Sequence, residues 1–164
     1  MNLINTKIKT EIDIDEKEQI QKLLIDEFRI TTLPDIDNYC LCYLGTKIIG
    51  FAATTDRTVI IDNNELKLNL FGMFLIVEQY RNRGVGSEFI QKIVELINKK
   101  NNMGVILNCG HSLERFYLKN GFIKICDSAI YLRNNERVTD NDPVYYMGKN
   151  IYKECKMVFF GTDF

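Results

Sequence analysis

A run of two arginines and two glycines, Arg81-Asn82-Arg83-Gly84-Val85-Gly86, stands between an apolar strand pattern and an amphipathic helix pattern, and it constrains the fold more than any other segment. Upstream, Leu70-Phe71-Gly72-Met73-Phe74-Leu75-Ile76-Val77 reads as a buried strand. Downstream, Phe89, Ile90, Ile93, Val94 and Ile97 recur at helical spacing. Glycines at 84 and 86 let the backbone approach a ligand closely, and the first N–H groups of the helix then point toward it. A strand, a tight turn and a helix start in this order predict an anion site, with a diphosphate as the natural occupant.

Two common phosphate loops are excluded by their defining residues. A Walker loop ends in Gly-Lys followed by Ser or Thr, whereas this one continues Gly86-Ser87-Glu88 and offers no lysine to a terminal phosphate. A dinucleotide fingerprint needs a third small residue where Phe89 stands. What remains, Arg-x-x-Gly-x-Gly, resembles the acetyl-CoA loop of the GNAT acetyltransferase superfamily, which reads Gln/Arg-x-x-Gly-x-Gly/Ala. After a second apolar strand, Val105-Ile106-Leu107, comes Arg115-Phe116-Tyr117-Leu118-Lys119-Asn120-Gly121-Phe122. That segment is similar to the family's other hallmark, a tyrosine four residues before Gly-Phe on the helix after the fifth strand. The two motifs stand in the family's order and cover residues 68–125.

The rest of the chain can be arranged around that pair. Residues 3–11 alternate as an edge strand, and Asp15 can cap a helix carrying Ile20, Leu23, Leu24 and Phe28 on one stripe, with Pro34 closing the connection after it. Residues 39–44 and 47–55 form two strands joined at Gly45-Thr46, and a further hairpin turns at Asn63-Asn64 between residues 59–61 and 66–68. A strand, helix, strand crossover is parallel and right-handed, so strands four and five run side by side. A helix over 112–120 follows with Ser112 as its cap, and residues 123–126 and 143–147 close the sheet as an antiparallel pair. The expected fold class is α/β (α+β): a mixed, mostly antiparallel sheet of about seven strands with helices on both faces. In the family it resembles, strands four and five splay apart and the pantetheine arm of acetyl-CoA enters the gap like a strand.

Length and charge narrow the classes further. The 164 residues, 46% hydrophobic, suit a single domain over 1–164 with its own core, residues 151–164 forming a C-terminal extension. Lys+Arg number 21 against 22 Asp+Glu, so no basic field is present to hold nucleic acid. No apolar leader pattern and no bilayer-length segment are visible, which predicts a cytoplasmic protein without membrane contact. The five cysteines are odd in number and contain no Cys-x-x-Cys pair; Cys40, Cys42, Cys109, Cys126 and Cys155 are most simply buried thiols, and no metal site is expected. The proximity of Cys109 to His111 does not by itself bring sulfur to nitrogen, as a nucleophile requires.

The resemblance assigns chemistry residue by residue. Arg81, Asn82, Arg83, Gly84, Val85, Gly86 and Ser87 would hold the diphosphate through charge and helix amides. Phe74, Leu75 and Ile76 would meet the pantetheine arm through main-chain groups, the Phe74 amide polarising the thioester carbonyl. Tyr117 would stabilise the leaving thiolate. A phenol near pKa 10 facing a thiol near 8.5 makes complete transfer uphill by roughly 2 kcal/mol, so hydrogen bonding with late transfer describes the step better. The alternative for Tyr117 is a half-buried helix aromatic beside a core Phe116.

No titratable residue stands on the fourth strand to deprotonate an amine, since Asn69, Phe71 and Met73 occupy it; Glu27, Asp142, His111 or a water chain are the alternatives. Acetyl-CoA as donor and an amine acceptor are thus implied, a small molecule in the first instance. Asp35, Asp37, Asp140 and Asp142 are candidate lining for a cationic acceptor, and residues 108–120 with the polar turn 133–137 are loosely similar to the aminoglycoside N-acetyltransferase branch. A protein amino group is an alternative acceptor, and an acyl-CoA-binding regulatory module without turnover is the alternative function. The compact apolar run Met157-Val158-Phe159-Phe160 is expected to help form a homodimer.

Overall fold

The first hairpin shows how local chemistry sets the frame. Gly45, at φ +64°, takes the left-handed position of a two-residue turn with Thr46 and joins β2 (Asn38–Leu44) to β3 (Lys47–Ile61) in antiparallel register, Leu44 opposite Lys47 and Asn38 opposite Thr54. A computed structural model describes residues 4–61, 64–101, 104–126, 129–133, 136–139, 144–149 and 157–160. Contacts group the chain into two compact units, residues 1–55 with 73–96 and residues 56–72 with 97–164.

In the first unit, β1 (Asn5–Lys9) pairs antiparallel with β2, and α1 (Ile14–Phe28) packs on the hairpin. Leu41, Tyr43, Phe51 and Ala53 alternate onto one face and form a core with Ile20 and Leu24 of the helix and with Leu75. Cys40 and Cys42 fall on the opposite face, where Glu88 of α2 (Val85–Asn101) lies near enough to act on the Cys42 thiol. Helices therefore cover both faces of β2, as expected. The cap of α1 is Asp13 rather than Asp15: the Asp13 carboxylate accepts from the Glu16 amide at 2.8 Å, and the Glu16 side chain reaches back to the Asp13 amide at 3.1 Å. That reciprocal pair satisfies two helix-end donors, which Asp15 is placed to do for neither. Phe28 is 39% exposed and contributes less to the stripe than its spacing suggests.

The second unit takes residues 56–61 of β3 and 64–72 of β4 (Asn64–Ile76) into the strand order β6-β9-β5-β4-β3-β10-β7-β8, with β5 (Gly104–Gly110), β6 (Ile123–Cys126), β7 (Ala129–Arg133), β8 (Glu136–Thr139), β9 (Val144–Lys149) and β10 (Met157–Phe160). β4 and β5 are parallel, and their ladder consists of Leu68–Leu70 against Gly104–Ile106 although both strands continue beyond it. β9 lies antiparallel between β5 and β6. Strands β1 to β6 with β9 make up the mixed, mostly antiparallel set of seven, and β7, β8 and β10 extend it.

One expectation changes here, and two further segments take their places. Residues 47–55 and 59–61 belong to one strand, because the polar stretch around Asp56 is paired across the ladder: the Asn69 side-chain amide of β4 donates to Asp56 at 3.0 Å. Of the polar segment 133–137, Arg133 ends β7 and Glu136 and Arg137 begin β8, which pair with Arg133 opposite Glu136; residues 134–135 lie outside the described residues. The C-terminal run forms β10, with its backbone antiparallel to β3 on one edge and parallel to β7 on the other, inside its own chain's sheet. Residues 62–63, Asp140, Asp142 and Pro143 lie outside the described residues.

Candidate functional site

The turn expected to hold the diphosphate is built where β4 runs out. After Ile76, the Val77 amide still bonds to Ile49 of β3 at 2.9 Å, a short 3-10 turn over Glu78–Tyr80 reverses the chain, and the Arg81 amide closes it on Glu78 at 3.0 Å. Asn82 (φ 58°) and Gly84 (φ 83°) then take left-handed conformations, and α2 begins at Val85 with the Glu88 amide bonded to Gly84 at 3.0 Å. Helix geometry leaves the amides of Val85, Gly86 and Ser87 without acceptors inside α2, so three donors and the positive end of the helix dipole converge on one exposed turn. A Cβ on Gly84 would meet nothing within 4 Å, so its backbone angle, not crowding, demands glycine there. Arg83 is exposed on the same turn.

Arg81 is placed differently from a free phosphate ligand. Its Nε donates to the Ile76 carbonyl at 2.6 Å and its Nη2 to Glu27 Oε2 at 2.5 Å. Glu27, one of the alternatives for the acceptor's base, therefore has its carboxylate engaged by the loop.

Within β4, Leu75 and Ile76 are 4% and 6% exposed and give their side chains to the core, so only their main chain is offered to a ligand. The Phe74 ring stacks on Phe89 of α2 at 5.7 Å. Met73, just before it, has φ 51°, a left-handed residue inside a strand that nothing in the sequence signals. Gly50 explains how tightly this part packs: a Cβ there would stand 2.6 Å from Ile76 Cδ1 and 3.1 Å from both Cys42 Cβ and the Leu75 carbonyl.

Tyr117 lies in the second unit on α3 (Glu114–Lys119), and its spacing from Gly121-Phe122 has a mechanical cause. The Phe122 amide bonds to the Tyr117 carbonyl at 3.1 Å and the Gly121 amide to Leu118 at 3.0 Å, with Gly121 at φ 81°. This is a Schellman cap, which requires a left-handed residue at Gly121 and favours an apolar contact between the residue after it and the tyrosine. The two rings supply that contact edge-to-face at 5.5 Å, and Phe116 meets Tyr117 at 5.1 Å. Asn120 donates from its side chain to Phe116 at 2.8 Å, and Lys149 donates to the Asn120 carbonyl at 2.8 Å while lying over the Phe122 ring. Tyr117 is 4% exposed, more buried than the half-buried aromatic considered from sequence. Burial, with Cys109 as a lesser neighbour, pushes its phenol above the ordinary range and keeps it protonated. Ser112 does not cap this helix: His111–Leu113 form a 3-10 turn, and Leu113 precedes α3 with no side-chain cap.

Of the five cysteines, Cys40, Cys42 and Cys109 are buried, as expected; the side chain of Cys126 and the whole of Cys155 lie outside the described residues. Burial pushes Cys40 and Cys42 up to about 12 and Cys109 to about 11, so each stays a thiol at neutral pH. His111 is exposed at the start of its turn. Among the described residues, no helix is long and apolar enough to cross a membrane.

No curated protein sequence matches the chain significantly. Solved structures do: Escherichia coli ElaA is 16% identical with a TM-score of 0.69, over 90% of this chain and 100% of that one. Escherichia coli YhbS, solved with CoA, is 14% identical with a TM-score of 0.67, over 96% and 90%. Arabidopsis thaliana NAA60, solved with acetyl-CoA, is 14% identical with a TM-score of 0.61, over 90% and 100%. At these identities the likeness establishes the fold. Residues 35–124, more than half the chain and including both the donor loop and the Tyr117 segment, match the acetyltransferase (GNAT) domain, and the chain therefore belongs to the GNAT family of acetyltransferases, which take their acetyl group from acetyl-CoA.

Proposed function

We propose that this protein is an N-acetyltransferase that passes the acetyl group of acetyl-CoA directly to the primary amine of a small molecule. The observation that carries the reading is the turn at residues 81–87, where two left-handed residues deliver the chain into α2 with its first amides facing one exposed side. A diphosphate is the ligand such an end favours, through hydrogen bonds and the helix dipole together. Arg83 adds a positive charge there. The main chain at Phe74, Leu75 and Ile76 pairs with the pantetheine arm, and the early end of the β4–β5 ladder at Leu70 and Ile106 supports that reading.

In the transfer step the amine nitrogen forms a bond to the thioester carbon as the carbon–sulfur bond breaks. The Phe74 amide stabilises the charge that develops on the carbonyl oxygen, a contribution of about 3 kcal/mol for such a donor. Tyr117 donates a hydrogen bond to the departing thiolate. Its phenol, raised by burial, holds its proton too tightly for early transfer, so it acts chiefly through that bond. β4 supplies no titratable side chain at Asn69, Phe71 or Met73, and Glu27 is paired with Arg81; water carries away the amine's proton.

A peptide or protein amine is the second reading of the acceptor. Arabidopsis thaliana Naa50, a structural neighbour at 16% identity and a TM-score of 0.62, was solved with the bisubstrate analogue CoA-Ac-MVNAL. Release of free thiol from acetyl-CoA, followed with a panel of small amines, aminoglycosides and N-terminal peptides, tests both readings. Turnover with a small amine supports the first, turnover with peptides alone moves the acceptor to the second, and tight acetyl-CoA binding with no turnover on any amine favours a regulatory module.

A further inference from the structure

Arg81 is the residue that the donor motif would assign to the diphosphate, yet its guanidinium is anchored at two points inside the first unit. Nε holds the Ile76 carbonyl at the last residue of β4, and Nη2 holds Glu27 in the final turn of α1, 54 residues away in sequence. The two hydrogen bonds, at 2.6 and 2.5 Å, use adjacent edges of one planar fork, a geometry that lysine cannot reproduce. A second observation concerns α1 itself. It ends Asp26-Glu27-Phe28 with no basic residue in its last turn, so two carboxylates stand at the helix end where the dipole disfavours them. Arg81 offsets that cost for Glu27 and in doing so ties α1 to the residue just before the left-handed Asn82.

We infer that Arg81 is a strut of the acetyl-CoA loop and that Glu27 is its positioning partner, the diphosphate being held by the α2 amides and Arg83. The inference rests on the donor-loop reading of residues 81–87. It makes α1 and the loop a coupled pair: the conformation that receives acetyl-CoA includes the Glu27–Arg81 contact. Because both side chains are about two-fifths exposed, breaking the contact leaves the fold intact and shows mainly in ligand affinity.

Calorimetric titration of acetyl-CoA into the full chain tests this, with thermal unfolding as a check that each variant is folded. Glu27→Gln is expected to weaken acetyl-CoA on the order of fivefold, the equivalent of a pair worth about 1 kcal/mol. Arg81→Lys, which keeps the charge and loses the fork, is expected to weaken binding as much as Arg81→Gln does. Glu27→Gln combined with Arg81→Gln is expected to be no worse than the worse single variant. Native affinity in Arg81→Lys, or tighter or unchanged binding in Glu27→Gln, overturns the strut and makes Arg81 a phosphate ligand for which Glu27 competes. Gly84→Asp in the same titration separates the two levels. If the unaltered chain binds and Gly84→Asp does not, the donor loop stands and the other variants judge the strut alone; if Gly84→Asp binds normally, the donor-loop reading fails with it.

Discussion

Replacing Tyr117 by phenylalanine removes one oxygen and leaves the ring where α3 packs it. The edge-to-face contacts with Phe116 and Phe122, at 5.1 and 5.5 Å, involve the ring alone, and the Schellman bonds run through the backbone. Stability should therefore change by no more than about 1 kcal/mol, the net worth of one hydroxyl interaction. Catalysis is a different matter if the phenol stabilises the thiolate. Loss of a positioned proton or hydrogen-bond donor costs on the order of 10²-fold in turnover, about 2.7 kcal/mol of barrier. The pH dependence follows from the direction of the shift: a phenol raised by burial and by Cys109 is still protonated well above neutrality, so the donor is present throughout the range from about pH 6 to 9. The mutant should accordingly lose turnover by the same factor at every pH in that window. Acetyl-CoA affinity should be unchanged. Thiol release with the best amine of the panel gives kcat, and calorimetry gives the affinity. Native kcat in Tyr117→Phe would refute the role, and a fall in kcat matched by a fall in unfolding midpoint would assign the hydroxyl to the fold.

Other substitutions probe the same architecture from different sides. Gly84→Asp places a carboxylate above the helix amides, where a like charge about 4 Å from a phosphate costs about 4 kcal/mol at an effective dielectric of about 20, so acetyl-CoA affinity should fall on the order of 10³-fold while circular dichroism stays native. Gly121→Ala forces a Cβ onto φ 81° and toward Lys149 Nζ at 3.2 Å; the urea midpoint should drop by the equivalent of about 1–2 kcal/mol, and a native midpoint would contradict the Schellman account. Glu16→Gln strips a buried carboxylate that accepts from Lys9, Tyr43 and the Asp13 amide, so the variant should be less stable at pH 7 by about 1–3 kcal/mol. Burial alone would raise the Glu16 pKa, but those hydrogen bonds outweigh it and lower it, so its contribution is present above the unfolded value of 4.5 and is lost as pH falls through the folded one; the variant's urea midpoint should lack that part of the acid decline.

How far the sequence alone could be read depended on whether an element was specified by side-chain pattern or by backbone. The hairpin at Gly45-Thr46, the helix after the arginine run and the β4–β5 crossover were legible because period, turn chemistry and chain handedness agree there. Strand β3 looks like two pieces in sequence because Asp56, Arg57 and Thr58 resemble a break, and the pairing of Asp56 with Asn69 is invisible until the strands are side by side. The cap of α1 stands two residues before Asp15, and its signal is in the sequence, since Asp13 and Glu16 stand at capping-box spacing. Glu27 stands out in the sequence only as one alternative for the acceptor's base. Its contact with Arg81 spans most of the first unit's sequence and follows from no local rule.

The donor region illustrates why a motif can be recognised before its physics is known. Arg-x-x-Gly-x-Gly is conspicuous as a string, but only Gly84 in it is dictated by backbone angle; Asn82 accepts a left-handed angle that asparagine tolerates, and Arg81 is shaped by two anchors outside the motif. A third left-handed residue, Met73, lies in β4 where no glycine or asparagine announces it, although Gly72 is its immediate neighbour. A methionine held at φ 51° costs of order 1–3 kcal/mol and persists only where the surrounding strands over-determine it. Gly50, pressed against the Ile76 and Leu75 of the same strand, shows how closely β3 fixes the far side of β4. The left-handed turn rotates the next peptide away from regular pleating, and that peptide carries the Phe74 amide proposed to polarise the thioester. The strain at Met73 is thus the physical counterpart of a role that has no side chain, and it places the least legible part of the site in the backbone, where a sequence carries no letter for it.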